Sequence, residues 1–188
     1  MAPRRKNQAR YGLQTPATNN HDYAASKTTL TDNEMIWEPN ERAEFFINSG
    51  RLEYVVPNLE HARLLISQAR LDVESAKTIS STGGNFSGAL TLAYDGARKA
   101  LNAILADQGY RPTIQGGHTV IADYLRPQFP NYRTVFDKFD KIRAIRNNSE
   151  YPAPNEPVAT LNDVSEAIPL AQTIIEIASK YLTKYGEK

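Results

Sequence analysis

Two long stretches of helical periodicity, separated by a short glycine-containing segment, restrict the fold of this chain more than any other feature of its sequence. In residues 57–79 and 86–105, apolar side chains recur at three- and four-residue steps, which places them on one face of a helix. The segment between them, STGGN, is typical of a turn. Because short loops join long helices that lie antiparallel, we predict a helical hairpin.

Further helical patterns follow this hairpin. A short one covers residues 120–125, a second covers 132–150, and a last one covers 164–185, where Pro169 is expected to kink or restart the helix. No segment has a strand pattern of useful length. The predicted fold class is therefore all-α, an up-and-down bundle of four to five helices.

The composition of the chain changes twice along its length. Residues 1–33 combine early basic side chains with polar ones and lack an apolar period, so we predict a disordered basic tail. Residues 34–56 are predicted to be an accessory segment packed on the domain. Within it, Trp37 either closes the end of the bundle or anchors a partner. Residues 57–188 are predicted to form the bundle itself.

Overall composition excludes several functions. The 22 basic and 21 acidic side chains nearly balance, so only local clustering can favour nucleic acid. The chain has no cysteine, which removes disulfides and thiolate chemistry. No apolar run approaches the roughly 18 residues of a membrane span, and we expect a cytoplasmic protein without membrane contact. The histidines lack metal-ligand spacing and no nucleotide-binding loop is present, so we expect neither a metal nor a cofactor.

A charged residue interrupts the apolar stripe of the fourth predicted helix. Val135, Phe139 and Ile142 mark its buried face, and Arg146 lies within about 20° of that line at roughly 100° per residue. Burying an unpaired guanidinium costs several kcal/mol, so Arg146 requires an acceptor or a wet pocket. This helix end is our candidate functional site.

Polar and basic neighbours surround Arg146 in the sequence. From residue 126 to 146 there are six basic residues and two acidic ones, a local field that suits RNA or a nucleotide. In such a site an arginine can clamp a phosphate and a tyrosine can stack on a base. The alternative is an ion pair of Arg146 with Glu150 at i,i+4. Both interpretations remain open. The candidate residues are Arg143, Arg146, Asn147, Glu150, Lys141 and Tyr151.

A glycine-rich segment precedes the third predicted helix and ends in His118. Free backbone N–H groups at such a position can hold an anion, but the same pattern is also an ordinary helix start, since no Lys-Ser/Thr pair follows the glycines. We count His118 among the residues that would bind RNA or a nucleotide if the first interpretation holds.

Three pieces of the chain carry a resemblance to a known family. GALTLAYDGARKALNAILADQGYRPT, GGHTVIADYL and KIRAIRNNSEYP, in this order, resemble the HEPN domain, a small helical bundle of prokaryotic toxin and defence systems. The resemblance covers about residues 57–185. It implies a homodimer in which two copies of an arginine-containing motif face each other and form a composite, metal-independent ribonuclease site.

The family motif places an arginine and a polar residue a few positions before a histidine. In this sequence the arginine and polar positions correspond to Arg146 and Asn147, and the histidine position is occupied by Tyr151. An unperturbed phenol, with a pKa of about 10, is a poor base near neutral pH. The resemblance therefore leaves two hypotheses, a ribonuclease or RNA-binding homodimer, and an inactive module that binds a nucleotide or a protein partner, such as a cognate antitoxin or nucleotidyltransferase.

Overall fold

The structure is a computed structural model that describes residues 36–150 and 158–186. In chain order its helices and strands are α1 (Ala43–Asn48), β1 (Leu52–Tyr54), α2 (Leu59–Ser81), α3 (Phe86–Gln108), β2 (Tyr110–Pro112), α4 (Thr119–Leu125), α5 (Arg133–Glu150) and α6 (Leu161–Tyr185). Short 3₁₀ turns join α4 to α5. The prediction of an all-α bundle is confirmed. The predicted tail, residues 1–33, lies outside the described residues.

The two long helices form the predicted hairpin, and each begins at an asparagine cap. The Asn58 side chain accepts the His61 N–H at 2.8 Å, and the Asn85 side chain accepts the Gly88 N–H at 2.8 Å. Such caps satisfy backbone donors that have no partner within a helix. The two asparagines therefore determine where α2 and α3 begin.

Small residues of α3 allow α2 to approach closely. A Cβ atom at Gly96 would lie 2.9 Å from the carbonyl oxygen of Ala69, which is closer than real Cβ contacts allow. Ala93, Ala97 and Ala100 are also buried. This run of small residues therefore belongs to the bundle core.

Helix α6 packs against both members of the hairpin. It begins with a capping box, in which Thr160 and Asp163 each bond to the other's backbone N–H. The helix continues through Pro169 without restarting, contrary to one alternative that we expected. Pro169 is exposed, and the Thr173 hydroxyl donates to its carbonyl oxygen at 3.0 Å.

The segment before α2 contacts the other end of the chain. The Trp37 ring packs against Tyr181 and Tyr185, with centroid distances of 5.5 and 5.1 Å, and its Nε1 donates to Gln128 Oε1 at 2.8 Å. These contacts agree with an aromatic residue that closes the end of the bundle.

A small sheet was not expected from the sequence. Strands β1 and β2 pair antiparallel, with Leu52 opposite Pro112 and Tyr54 opposite Tyr110. Three residues are too few to display an alternating pattern, so the sequence gives no local signal for this pairing. Across residues 36–150 and 158–186, no helix is both long enough and apolar enough to cross a membrane.

Candidate functional site

Arg146 lies against a buried tyrosine of α3. Its guanidinium carbon is 5.8 Å from the centroid of the Tyr94 ring, and its side chain is 17% exposed. The same Tyr94 ring stacks on Phe139, with centroids 5.2 Å apart and planes 18° apart. The face of an aromatic ring attracts a cation, so α3 and α5 together hold Arg146 at the rim of the core.

Two polar neighbours on α5 complete the environment of Arg146. Its Nη2 lies 2.6 Å from Glu150 Oε1, and its Nη1 donates to Asn147 Oδ1 at 3.3 Å. The i,i+4 ion pair that we considered as the alternative is therefore present. The Arg146 Nε atom is buried and, within the described part of the chain, has no hydrogen-bond partner.

His118 contacts the side chain of Tyr94 as well, although the two residues are distant in sequence. Its Nδ1 is 3.1 Å from the Tyr94 hydroxyl oxygen, and the ring centroids are 6.0 Å apart. Tyr94 itself is 1% exposed, whereas His118 is exposed. The Tyr94 ring thus connects Arg146 and His118, and we call these three residues the tyrosine-centred cluster.

The environment of this cluster changes the proton affinity of both rings. Partial burial, together with the positive charges of Arg98 and Arg146, lowers the pKa of His118, while Asp95 opposes this effect. Burial raises the pKa of Tyr94 to about 12, although Arg98 and two arginines of α5 counteract it. A neutral imidazole and a neutral phenol are therefore favoured near neutral pH.

Much of the positive charge between residues 126 and 146 is compensated locally. Arg126 contacts Asp140 and also Asp137, the latter at 3.3 Å, and Arg143 lies 3.3 Å from Asp140. Arg146 is paired with Glu150, as described above. The excess of basic residues in the sequence therefore overstates the field that this segment presents.

Lys141 does not join the cluster. Its side chain is 63% exposed and lies 3.2 Å from Glu166 on α6. Of the other predicted residues, His118 belongs to the cluster, Asn147 and Glu150 contact Arg146, and Arg143 acts on the cluster electrostatically. Tyr151, which was also predicted for the site, lies outside the described residues.

Three residues of α3 belong to the site without being predicted from the sequence. The apolar pattern assigns Tyr94 to the core, and it draws no attention to Asp95 and Arg98, which form an ion pair at 3.1 Å. A buried tyrosine usually requires a partner for its hydroxyl. This requirement is the signal in the sequence that could have pointed to a polar contact at Tyr94. The identity of that partner depends on the packing of α4 against α3.

The protein is a small helical bundle with a polar cluster on the helix before the last one. Comparison with known proteins identifies the family to which it belongs. The HEPN domain profile matches residues 62–181, so the chain belongs to the HEPN domain family. The crystal structure of TT1696 from Thermus thermophilus is similar at 23% identity and a TM-score of 0.50, over 64% of this chain and 97% of that one. That similarity supports the fold alone. No curated protein matches the chain in sequence.

Proposed function

We propose that this chain acts in a toxin–antitoxin or phage-defence system as a homodimer that binds RNA and cleaves it without a metal. Arg146, Asn147 and Tyr151 of both copies would form the composite site. The observation that carries the proposal is the placement of Arg146. Its guanidinium lies over the Tyr94 ring at the rim of the core, and Glu150 is its ion-pair partner within the described residues.

A phosphate of RNA can take the place of the Glu150 carboxylate. Arginine binds phosphate and carboxylate through the same planar fork of donors. Because the phosphate brings the same negative charge and the same kind of acceptor oxygens, the partly buried guanidinium stays paired when one anion replaces the other. As the phosphodiester reacts, negative charge builds up on its oxygens, and a fixed guanidinium stabilises that charge.

A second candidate function is an inactive HEPN module that binds a protein partner or a nucleotide. It is favoured by Tyr151 at the histidine position and by the ion pairs that compensate Arg126, Arg143 and Arg146. A cognate antitoxin or a nucleotidyltransferase is the kind of partner that the family resemblance implies. This function requires no proton transfer.

Incubation of the full chain with a mixed RNA pool in EDTA separates the two functions. The proposal expects fragments to accumulate and light scattering at micromolar concentration to give the mass of a dimer. Intact RNA throughout, together with direct binding of a nucleotide, would support the second function instead. A monomer mass would contradict a composite site, whichever result the cleavage assay gives.

Glu150→Gln should increase the affinity for RNA, because it removes the carboxylate that competes for Arg146. Breaking a competing pair of about 0.5–1 kcal/mol corresponds to a gain of about two- to fivefold. Fluorescence anisotropy with a 2′-deoxy analogue of the RNA oligonucleotide measures binding without cleavage. The matched control is Glu166→Gln, which frees Lys141 outside the cluster. Equal gains for both variants would show a general charge effect instead of a site at Arg146.

A further inference from the structure

We propose that His118, oriented by Tyr94, accepts the proton of the attacking 2′-hydroxyl when RNA is bound at Arg146. This inference rests on the proposed ribonuclease function and assigns its general base to the start of α4 instead of to the motif position held by Tyr151. It requires that His118 is fixed in place, that one ring nitrogen is accessible, and that the imidazole is neutral.

The backbone before His118 is held tightly by glycines. A Cβ atom at Gly116 would lie 2.1 Å from the carbonyl oxygen of Arg51, and Gly117 has a φ of +53°. Only glycine adopts both features at low cost. The Gly116 N–H also bonds to the Thr113 hydroxyl at 3.0 Å. The loop is therefore docked on the segment that begins at Arg51, and it presents His118 at a defined position.

The imidazole ring is oriented by a buried group. Its Nδ1 meets the Tyr94 hydroxyl at 3.1 Å, and Tyr94 is itself held in the core by its stacking on Phe139. A hydrogen bond to one imidazole nitrogen determines the role of the other. We assign to His118 the tautomer in which Nδ1 donates its proton to the Tyr94 oxygen, so that the lone pair of Nε2 is left for the substrate. Because His118 is exposed, a ligand can approach it.

The charges around His118 favour its neutral form. Arg98 of α3, together with Arg143 and Arg146 of α5, disfavours an imidazolium, and Asp95 of α3 favours it. The net effect, including partial burial, is a pKa below the ordinary value for histidine. At pH 7 most of the population is then unprotonated and able to accept a proton. Tyr94, the other titratable group in contact, stays a neutral phenol because its pKa is about 12.

Arg146 and His118 both contact Tyr94, Arg146 over the ring and His118 at the hydroxyl, and the charge of Arg146 acts on the imidazole. We therefore place both side chains at one phosphodiester. In the reaction the 2′-oxygen forms a bond to the adjacent phosphorus, and its proton passes to His118 Nε2. The bond between phosphorus and the 5′-oxygen breaks, and that oxygen takes a proton from water. The hydroxide left by that water removes the proton from His118, which restores the neutral imidazole. The products are a 2′,3′-cyclic phosphate and a 5′-hydroxyl, with no change of oxidation state.

The test compares cleavage in EDTA by the wild type, His118→Ala and a matched histidine control, His61→Ala, which lies exposed on α2. Loss of a general base typically lowers the rate by about 10²- to 10⁴-fold, and we expect this loss for His118→Ala with wild-type binding of a 2′-deoxy analogue. Added imidazole should restore part of the rate. In the wild type, the rate should rise with pH through the lowered pKa of His118, and this rise should be absent from the variant.

The possible outcomes separate a failure of the His118 assignment from a failure of the ribonuclease proposal. If His118→Ala and His61→Ala both cleave at the wild-type rate with the same pH profile, His118 is not the base, while the ribonuclease proposal stands. If the wild type cleaves no RNA, both proposals fall. His118→Gln keeps a polar side chain at this position, so a folded His118→Gln with full activity would overturn the inference even if His118→Ala unfolds. Tyr94→Phe tests the positioning role, and it should lower kcat more than it changes KM.

Discussion

Arg146→Ala is expected to reduce RNA cleavage by about 10²- to 10³-fold, the usual loss when a fixed donor to a developing oxyanion is removed. The guanidinium that lies over Tyr94 would no longer stabilise charge on the phosphodiester. Arg146→Lys should recover only part of the activity, because an ammonium lacks the planar fork and stacks poorly on the ring. Initial cleavage rates in EDTA, measured with saturating RNA, report this effect.

Arg133→Ala provides the matched control for Arg146. It removes the same charge from the same helix at an exposed position, away from the tyrosine-centred cluster. We expect it to alter the salt dependence of binding slightly and to leave the cleavage rate within about twofold. Equal loss of activity in the two variants would mean that α5 acts through its overall charge. Equal activity of Arg146→Ala and the wild type would contradict the assigned site.

Phe139→Ala is expected to lower the free energy of unfolding by about 3–5 kcal/mol, the range found when a large aromatic side chain is removed from a core. Phe139 is 1% exposed and stacks on Tyr94, so its loss leaves a cavity beside the Tyr94 ring. Denaturation by urea, followed by far-ultraviolet circular dichroism, measures the difference. The midpoint should fall without a large change in slope.

Phe45→Ala is the corresponding control, since Phe45 is 51% exposed on α1. It keeps the same chemical change and removes far less buried surface, so we expect a loss below about 1 kcal/mol. A similar loss in both variants would indicate that the core beneath the cluster is less tightly packed than the structure describes.

Local sequence patterns were sufficient to predict the long helices and one part of the candidate site. The three- and four-residue spacing of apolar residues depends only on the 3.6-residue turn of the helix, so α2, α3, α5 and α6 could be predicted. The same geometry revealed Arg146, because a charge on a buried stripe contradicts the pattern at a single position. Its i,i+4 partner Glu150 was accessible for the same reason, since both residues lie on one helix.

The β1–β2 pairing and the uninterrupted course of α6 had no comparable local signal. Pairing joins residues that are far apart in sequence, such as Leu52 and Pro112, and it depends on how the hairpin closes. Pro169 breaks a helix in isolation, but tertiary packing stabilises helices more than propensity does. Buried residues on both sides of Pro169, including Val164 and Ile174, hold α6 as one element.

By itself, the sequence determined the helical bundle, the HEPN resemblance and the unusual arginine on α5, because each depends on neighbours along one helix or on a contiguous motif. Only the tertiary structure decided that Tyr94 joins Arg146 to His118. Those residues come from α3, α5 and the loop before α4, and no periodicity within one element specifies which face of another it meets. The contact is set by how the three elements pack around a shared core.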